Sequence, residues 1–600
     1  MPAQIFSASR GSAGVGSRRS SAWDGRSPVR GEVLVESANT TAAPGAQRKL
    51  RRDVGRVGLL FTSVGSIIGS GWLLGALAAS AIAGPAALIS WVLGGGAMLL
   101  LALVHAELGG MYPVAGGSAR FPHYAFGSLA GFAGGWFAFL GAVTTAPIEV
   151  EAALQYSSNY VSGFTKMSSG TLVLTPSGYA VAAVLMLLFS AINVMGVRWL
   201  SETNKVAVWW KIAVPVLAVV VLMITAFHPH NFSAAGGFMP FGWKGVFLAV
   251  ASGGVIFSYL GFEQAIQLGG ESKNPARNIP FAVIGSMVLG VVLYILLQVA
   301  YIAALQPSSL SHGWGAVTFS GKGAVYGPFA GLATALGVSW LATVLYADAI
   351  ISPGGTGLLY VGTSARISFA LARNNTIPRG FARLTTRGVP VLAILFSFLL
   401  GMIVFLPFPG WQQLVGFISS ATVLAYATAP LSLGALRLQE PDRPRPFRLP
   451  GGAVLAPLAF VVANEVLLFS GWAVVWKLIV AILLGVALLG ISAATSPPER
   501  RPSLDWLNGA WLAPYLLGMG VISYLSSFDT KTPSSIAGLL RGPRNTLTFG
   551  WDVLAVAIFS ILVYALAIRL RLPDHQVRAY VADLAEEAET VEGELADGAP

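Results

Sequence analysis

The 600-residue sequence has no cysteine, only six histidines and few charges, with Lys, Arg, Asp and Glu making up 10% of its residues. Without Cys there is no disulfide scaffold, no Cys-ligated zinc or iron–sulfur centre and no thiol nucleophile. Soluble domains are about 25% charged, so so sparse a charge pool argues against a soluble enzyme of several domains. The familiar hydrolytic signatures, a His-Glu-x-x-His pair and a Gly-x-Ser-x-Gly elbow, are missing as well. His228 and His230 flank Pro229 and make too small a set for a metal site. Gly321-Lys322-Gly323 lacks the Ser or Thr that a phosphate loop needs after its lysine. The expectation is a non-enzyme with no metal and no cofactor.

Apolar residues fill the space that charge leaves. They make up 55% of the chain, and the mean hydropathy is +0.69. The 37 Lys and Arg exceed the 26 Asp and Glu by 11, but they lie in loops between apolar stretches, so the basic balance points away from nucleic acid. A helix needs about 20 mostly apolar residues to cross a bilayer. Fourteen segments qualify, near 57–80, 86–111, 128–155, 178–196, 206–226, 245–268, 281–304, 338–371, 389–407, 412–436, 453–470, 472–493, 509–526 and 549–570, numbered below as spans one to fourteen. A short external helix from Pro328 is expected to lead into span eight. Alternate loops carry sixteen Lys and Arg against six (Lys166, Lys244, Lys322, Lys531, Arg541, Arg544). That bias predicts cytoplasmic termini in the cell (inner or plasma) membrane. The expected organisation is a disordered basic tail over 1–54, spans one to five over 55–228, six to ten over 229–440, four additional C-terminal spans over 441–571, and an acidic tail over 572–600.

Two spans are interrupted by glycine. Span one reads Gly65-Ser66-Ile67-Ile68-Gly69-Ser70-Gly71, and span six reads Ser252-Gly253-Gly254 through Gly261-Phe262-Glu263. Gly weakens a helix by about 1 kcal/mol relative to Ala, and in lipid unwound backbone survives only inside protein or beside a cavity. The interruptions lie five spans apart, so the two helices run antiparallel, as an inverted repeat of five plus five requires. Their bare N–H groups and carbonyls suit a zwitterion, carboxylate on the first and ammonium on the second. The competing reading is close helix packing through Gly-x-x-x-Gly.

Ionisable residues inside a membrane are costly and usually functional. Five stand out: Glu149 and Glu151 in span three, Lys211 in span five, Glu263 in span six and Asp348 in span eight. Glu263 follows the span-six break and is placed to meet substrate or carry a proton, or else to accept a structural backbone hydrogen bond. Lys211 sits a turn into its span, either functional or snorkelling to the cytoplasmic face. Glu149, Glu151 and Asp348 are placed near external helix ends, as candidates for a water-facing vestibule. Glu107 and Glu202, near cytoplasmic helix ends, are expected to pair with loop arginines.

These motifs resemble the amino acid–polyamine–organocation superfamily of permeases over roughly 55–450. Besides the span-one and span-six stretches, the likeness rests on Ala106-Glu107-Leu108 with Pro113-Val114-Ala115-Gly116-Gly117, and on Glu271-Ser272-Lys273-Asn274-Pro275. Ser364-Ala365-Arg366 and Arg445-Pro446-Phe447-Arg448-Leu449-Pro450 complete it. Pro147-Ile148-Glu149-Val150-Glu151 and Asp348 through Gly357 look most similar to bacterial aspartate:proton symporters. The resemblance implies an all-α membrane fold, the five-plus-five inverted repeat with helices one and six broken and about fourteen spans in all. It implies that Gly69, Ser70 and Gly71 offer N–H groups to a substrate carboxylate, and that carbonyls of Ile67, Ile68, Phe257, Ser258 and Leu260 receive its ammonium. Phe257 resembles the aromatic that closes over substrate. Lys211 matches a span-five lysine that in proton-coupled relatives replaces a sodium ion, with Ser352 and Thr356 near it. Glu263 stands where that group's pattern admits a basic residue, which weighs against an acidic substrate.

The functional expectation is secondary active uptake of an amino acid by alternating access, driven by protons, with the bilayer as surroundings and no nucleic-acid partner. The alternatives are an amino acid/amine exchanger, a polyamine transporter, a membrane-embedded enzyme, and a sensor that binds amino acids without moving them.

Overall fold

Glycine and proline set where the helices stop. The computed structural model describes residues 54–113, 117–168, 171–195, 197–319, 327–385, 389–498, 501–528 and 545–582. The basic tail up to Asp53, the Val114–Gly116 stretch, Gly321-Lys322-Gly323 and the acidic run from Asp583 lie outside the described residues. Each of the fourteen apolar segments is helical, and the short helix before span eight is present as Pro328–Ala335. Among the described residues, ten helices are long and apolar enough to cross a bilayer. Span nine is shorter, Val391–Val404, because Pro390 opens it and the chain turns at Phe405.

Span one is two helices, Arg56–Ile67 and Gly71–Ala83. At Ile68 the backbone leaves the helical region (φ −87°, ψ 88°), and Gly69 and Ser70 complete the join. Span six is broken twice. Gly242–Ser252 ends at Gly253 and a left-handed Gly254 (φ +86°), one turn follows over Val255–Ser258, and Gly261 (φ +123°) turns the chain into Gln264–Gln267. Only glycine takes such φ angles without strain. At Gly261 a Cβ would also lie 2.6 Å from Ser66 Oγ and 2.9 Å from the Ile67 nitrogen, so the two interruptions touch. Beneath them Val54 pairs with the segment after span six: its N–H donates to Glu271 O at 3.0 Å, and Lys273 N–H returns a bond to Val54 O at 3.0 Å.

Spans three and ten form the interior. Nearly all of span ten's most apolar window, 94%, is buried within the protein, against 22% for span twelve, which lies at the periphery. Span three packs along spans eight and ten, span seven along one and two, and span eleven joins span ten to the C-terminal helices.

Two features add to the sequence reading. Within the helical fold, Thr165–Ser168 and Thr171–Leu174 form a short antiparallel hairpin between spans three and four, pinned by Leu174 N–H to Pro409 O at 2.7 Å. Thr and Val favour strand geometry, and four-residue strands are too short to stand out in an apolar sequence. The described start of the C-terminal tail, 572–582, is docked: Leu572 and Val577 are buried, and Tyr580 O–H donates to Asp505 Oδ2 at 2.9 Å.

Candidate functional site

The break in span one creates two helix ends in the interior, each with its own dipole charge. The second half begins at Gly71, so its positive end faces the break; the first half, proposed below as the inner one, ends at Ile67 with its negative end there. Each end meets a side chain of opposite sign. Ser70 N–H donates to Glu149 Oε2 at 2.8 Å. The Lys211 ammonium donates to Gly65 O at 2.7 Å and to Thr356 Oγ1 at 2.8 Å. Both residues are about 1% exposed. Among the described residues no carboxylate lies within salt-bridge reach of Lys211. The carboxylates that act on its charge are Glu149 and Asp348.

Span eight lines the break opposite these groups. The Thr356 hydroxyl reaches Ile68 O at 3.4 Å as well as Lys211. The Ser352 hydroxyl bonds Asp348 Oδ1 at 2.6 Å, not Lys211. One turn beyond Thr356, Tyr360 O–H donates to Glu263 Oε1 at 3.1 Å and accepts from Ser66 Oγ at 3.1 Å. Glu263 also accepts from Gln264 Nε2 at 3.2 Å, from Gly261 N–H at 3.1 Å and from the Tyr426 hydroxyl. Four donors therefore hold one carboxylate.

The remaining residues singled out in the sequence fall around this centre. Gly71 lies against span six so closely that a Cβ would sit 2.4 Å from Ser258 Oγ. The Ser258 hydroxyl bonds Gly254 O at 2.7 Å. The Ile67 carbonyl already accepts from Tyr294 O–H at 2.8 Å and the Phe257 carbonyl from Leu260 N–H at 3.1 Å. Phe257 meets Trp411 edge-on at 5.8 Å, and the Trp411 indole N–H donates to Ser70 Oγ at 2.9 Å.

Three placements differ from expectation. Glu149, Glu151 and Asp348, read as vestibule residues, are all buried, at 1%, 2% and 0% exposure. Span three continues to Ser157, two turns past Glu149, which carries that side chain into the interior. Glu151, two positions on, points to the opposite face, where neither of its carboxylate oxygens has a partner. Lys211 does not snorkel; its ammonium is consumed inside the break. Tyr360, Tyr426, Trp411 and Tyr294 are contacts that the sequence reading missed. Only Tyr360 had a usable signal, its four-residue spacing from Thr356.

Glu107 confirms its expected pairing. Arg437 forks onto it at 3.0 and 2.5 Å, Arg445 approaches to 3.3 Å, and Leu449 N–H donates to it at 2.7 Å. The Arg445–Pro450 motif thus folds back onto the Ala106–Leu108 motif. The Glu202 side chain lies outside what is described.

Known sequences agree with this architecture. Residues 54–496 match the amino acid permease family. The chain is 37% identical over 554 residues to the glutamate/serine transporter AimA of Bacillus subtilis (strain 168), covering 92% of this chain and 98% of the relative. It is 34% identical over 530 residues to the aspartate-proton symporter of the same organism, covering 88% and 98%. The branched-chain amino acid permease BcaP, also from Bacillus subtilis, is 26% identical over 480 residues, with 77% and 97% covered. Matched along most of its length and built of apolar helices around a double break, this multi-pass membrane transporter, which is no enzyme, belongs to the amino acid permease family.

Proposed function

We propose that this permease imports a small polar or acidic amino acid together with a proton, by alternating access across the cell membrane with both termini in the cytoplasm. The observation that carries the reading is the bond from Ser70 N–H to Glu149. That N–H lies at the positive end of a half-helix, where a substrate carboxylate would bind. The protein's own carboxylate and an incoming one therefore compete for one donor. An ionised acceptor makes a hydrogen bond roughly twice as strong as a neutral one. A proton on Glu149 weakens its hold and leaves the substrate carboxylate the better acceptor. Substrate and proton then bind together, which is the coupling a symporter needs.

Lys211 does the complementary work. Held on Gly65 O and under the charges of Glu149 and Asp348, it rests as a cation at the negative end of the inner half-helix. Neutralising Glu149 removes one of its two counter-charges and shifts the balance between outward- and inward-facing packings of the two five-span groups, 55–228 and 229–440. The proton's charge contributes about 2.3 kcal/mol per 100 mV of membrane potential.

The substrate class is supported by relatives named for glutamate, serine and aspartate. Glu263 does not oppose an acidic substrate, because its charge is already matched by four donors. Proteoliposomes test the reading: wild type should accumulate labelled glutamate, aspartate or serine against a gradient when the outside is acidic. Glu149→Gln, permanently neutral, should still exchange substrate but no longer concentrate it. Undiminished acid-driven accumulation by that variant would refute the mechanism.

A further inference from the structure

Span eight carries polar side chains at every fourth position along its inner face: Asp348, Ser352, Thr356 and Tyr360. All four are buried. Steps of four residues rise about 6 Å each, so the row covers about 18 Å, over half of a hydrocarbon core about 30 Å thick. Hydrogen bonding between helices would explain one or two hydroxyls. It does not call for an ionisable group at each end, and here Asp348 stands at the outer end and Glu263, through Tyr360, at the inner.

We infer that this row is the route by which the proton crosses: Asp348 takes it from the outer side, Ser352 and Lys211 with Thr356 carry it past the break, and Tyr360 delivers it to Glu263. The inference rests on the symport reading above: Glu149, whose charge acts on Lys211, takes its proton from that lysine when substrate displaces it from Ser70 N–H and returns it as substrate leaves, and the row adds the entry and exit groups. Direct bonds already join Asp348 to Ser352 at 2.6 Å, Lys211 to Thr356 at 2.8 Å and Tyr360 to Glu263 at 3.1 Å. Two single-turn steps separate these pairs, and beside them lie the flexible Lys211 chain and the end of the first half of span one, Gly65 and Ser66, next to the unwound Ile68–Ser70 join, the parts that alternating access must move. Each hydroxyl donates one proton as it accepts another. Lys211 passes a proton inward, becomes an amine and is recharged from Asp348, so the chain ends each cycle unchanged.

Both ends are suited to the task. Asp348 faces Lys211 and the indole N–H of Trp210 from span five, the indole N–H of Trp72 from span one and Tyr156 from span three. Glu263 faces Tyr360 from span eight and Tyr426 from span ten, with His105 of span two behind Tyr426 at 5.2 Å. Beside Glu263 lies a cavity of about 30 Å³ lined also by Gln267, Tyr360, Thr363 and Tyr426 and by the inner half of span three. It is large enough to admit water.

Full-length protein in liposomes with a trapped pH-sensitive dye tests this. Substrate-driven proton influx and counterflow of labelled amino acid are read in parallel for wild type, Asp348→Asn and Tyr360→Phe. With each variant's own counterflow as the reference, protons moved per amino acid should fall at least about tenfold in both. A wild-type proton ratio in both variants overturns the route. Loss of counterflow together with proton influx in both would assign these residues a structural role and overturn it as well. Wild-type protein that moves amino acid without protons would instead refute the symport reading.

Discussion

Glu107 and Arg437 lie 330 positions apart and meet in a two-pronged ion pair whose carboxylate is wholly buried. With Arg445 and Leu449 N–H beside it, this carboxylate ties the end of span two to the loop after span ten.

Removing one partner of a buried pair leaves an unmatched charge, typically at a cost of 3–5 kcal/mol. Arg437→Ala is therefore expected to lower the thermal midpoint of the purified protein sharply. Glu107→Gln, which keeps hydrogen bonding, should cost less. Equal midpoints for wild type and Arg437→Ala would show that Arg445 alone suffices.

Lys211→Ala should abolish concentrative uptake, since among the described residues no other cation donates to Gly65 O. Transport assays at several external pH values check this. Acid-stimulated accumulation at the wild-type level in the variant would remove Lys211 from the coupling.

Gly261→Ala places a methyl against Ser66 and the Ile67 nitrogen at a φ of +123°. Loss of most uptake is expected, by tenfold or more, roughly 1.4 kcal/mol or above. Gly96→Ala is the matched control: a Cβ there meets nothing within 4 Å, and Ala favours the helix by about 1 kcal/mol. Uptake and thermal midpoint should be unchanged or improved in the control. Equal behaviour of the two variants would contradict the close approach of the broken helices.

Trp411→Phe keeps the aromatic edge on Phe257 but deletes the indole donor to Ser70 Oγ. A net hydrogen bond contributes about 0.5–1.5 kcal/mol. The apparent KM should rise by roughly two- to tenfold with little change in maximal rate. An unaltered KM would show that Ser70 needs no such support.

The broken helices were legible in the sequence because glycine advertises them twice, at 65–71 and at 253–261, five spans apart. The depth of the charges was harder to read. Glu149 lies near the external end of span three, which reads as a water-facing position, yet the helix, continuing to Ser157, holds the carboxylate inside. Lys211 has the opposite history: tryptophans beside it suggest a membrane surface, but its long chain reaches inward to Gly65. In spans that are apolar all round, periodicity does not reveal which face meets a neighbour, and so Trp411 and Tyr426 carried no mark. The polar row on span eight was visible, but only Gly65 and Ser66 opposite it give the row a purpose.

The two bonds between Val54 and the Glu271–Lys273 segment yoke the stems that lead into both interrupted helices. Neither stem can swing away without dragging the other or breaking both bonds. Because donors and acceptors alike are main-chain atoms, this yoke does not depend on what the three side chains there carry.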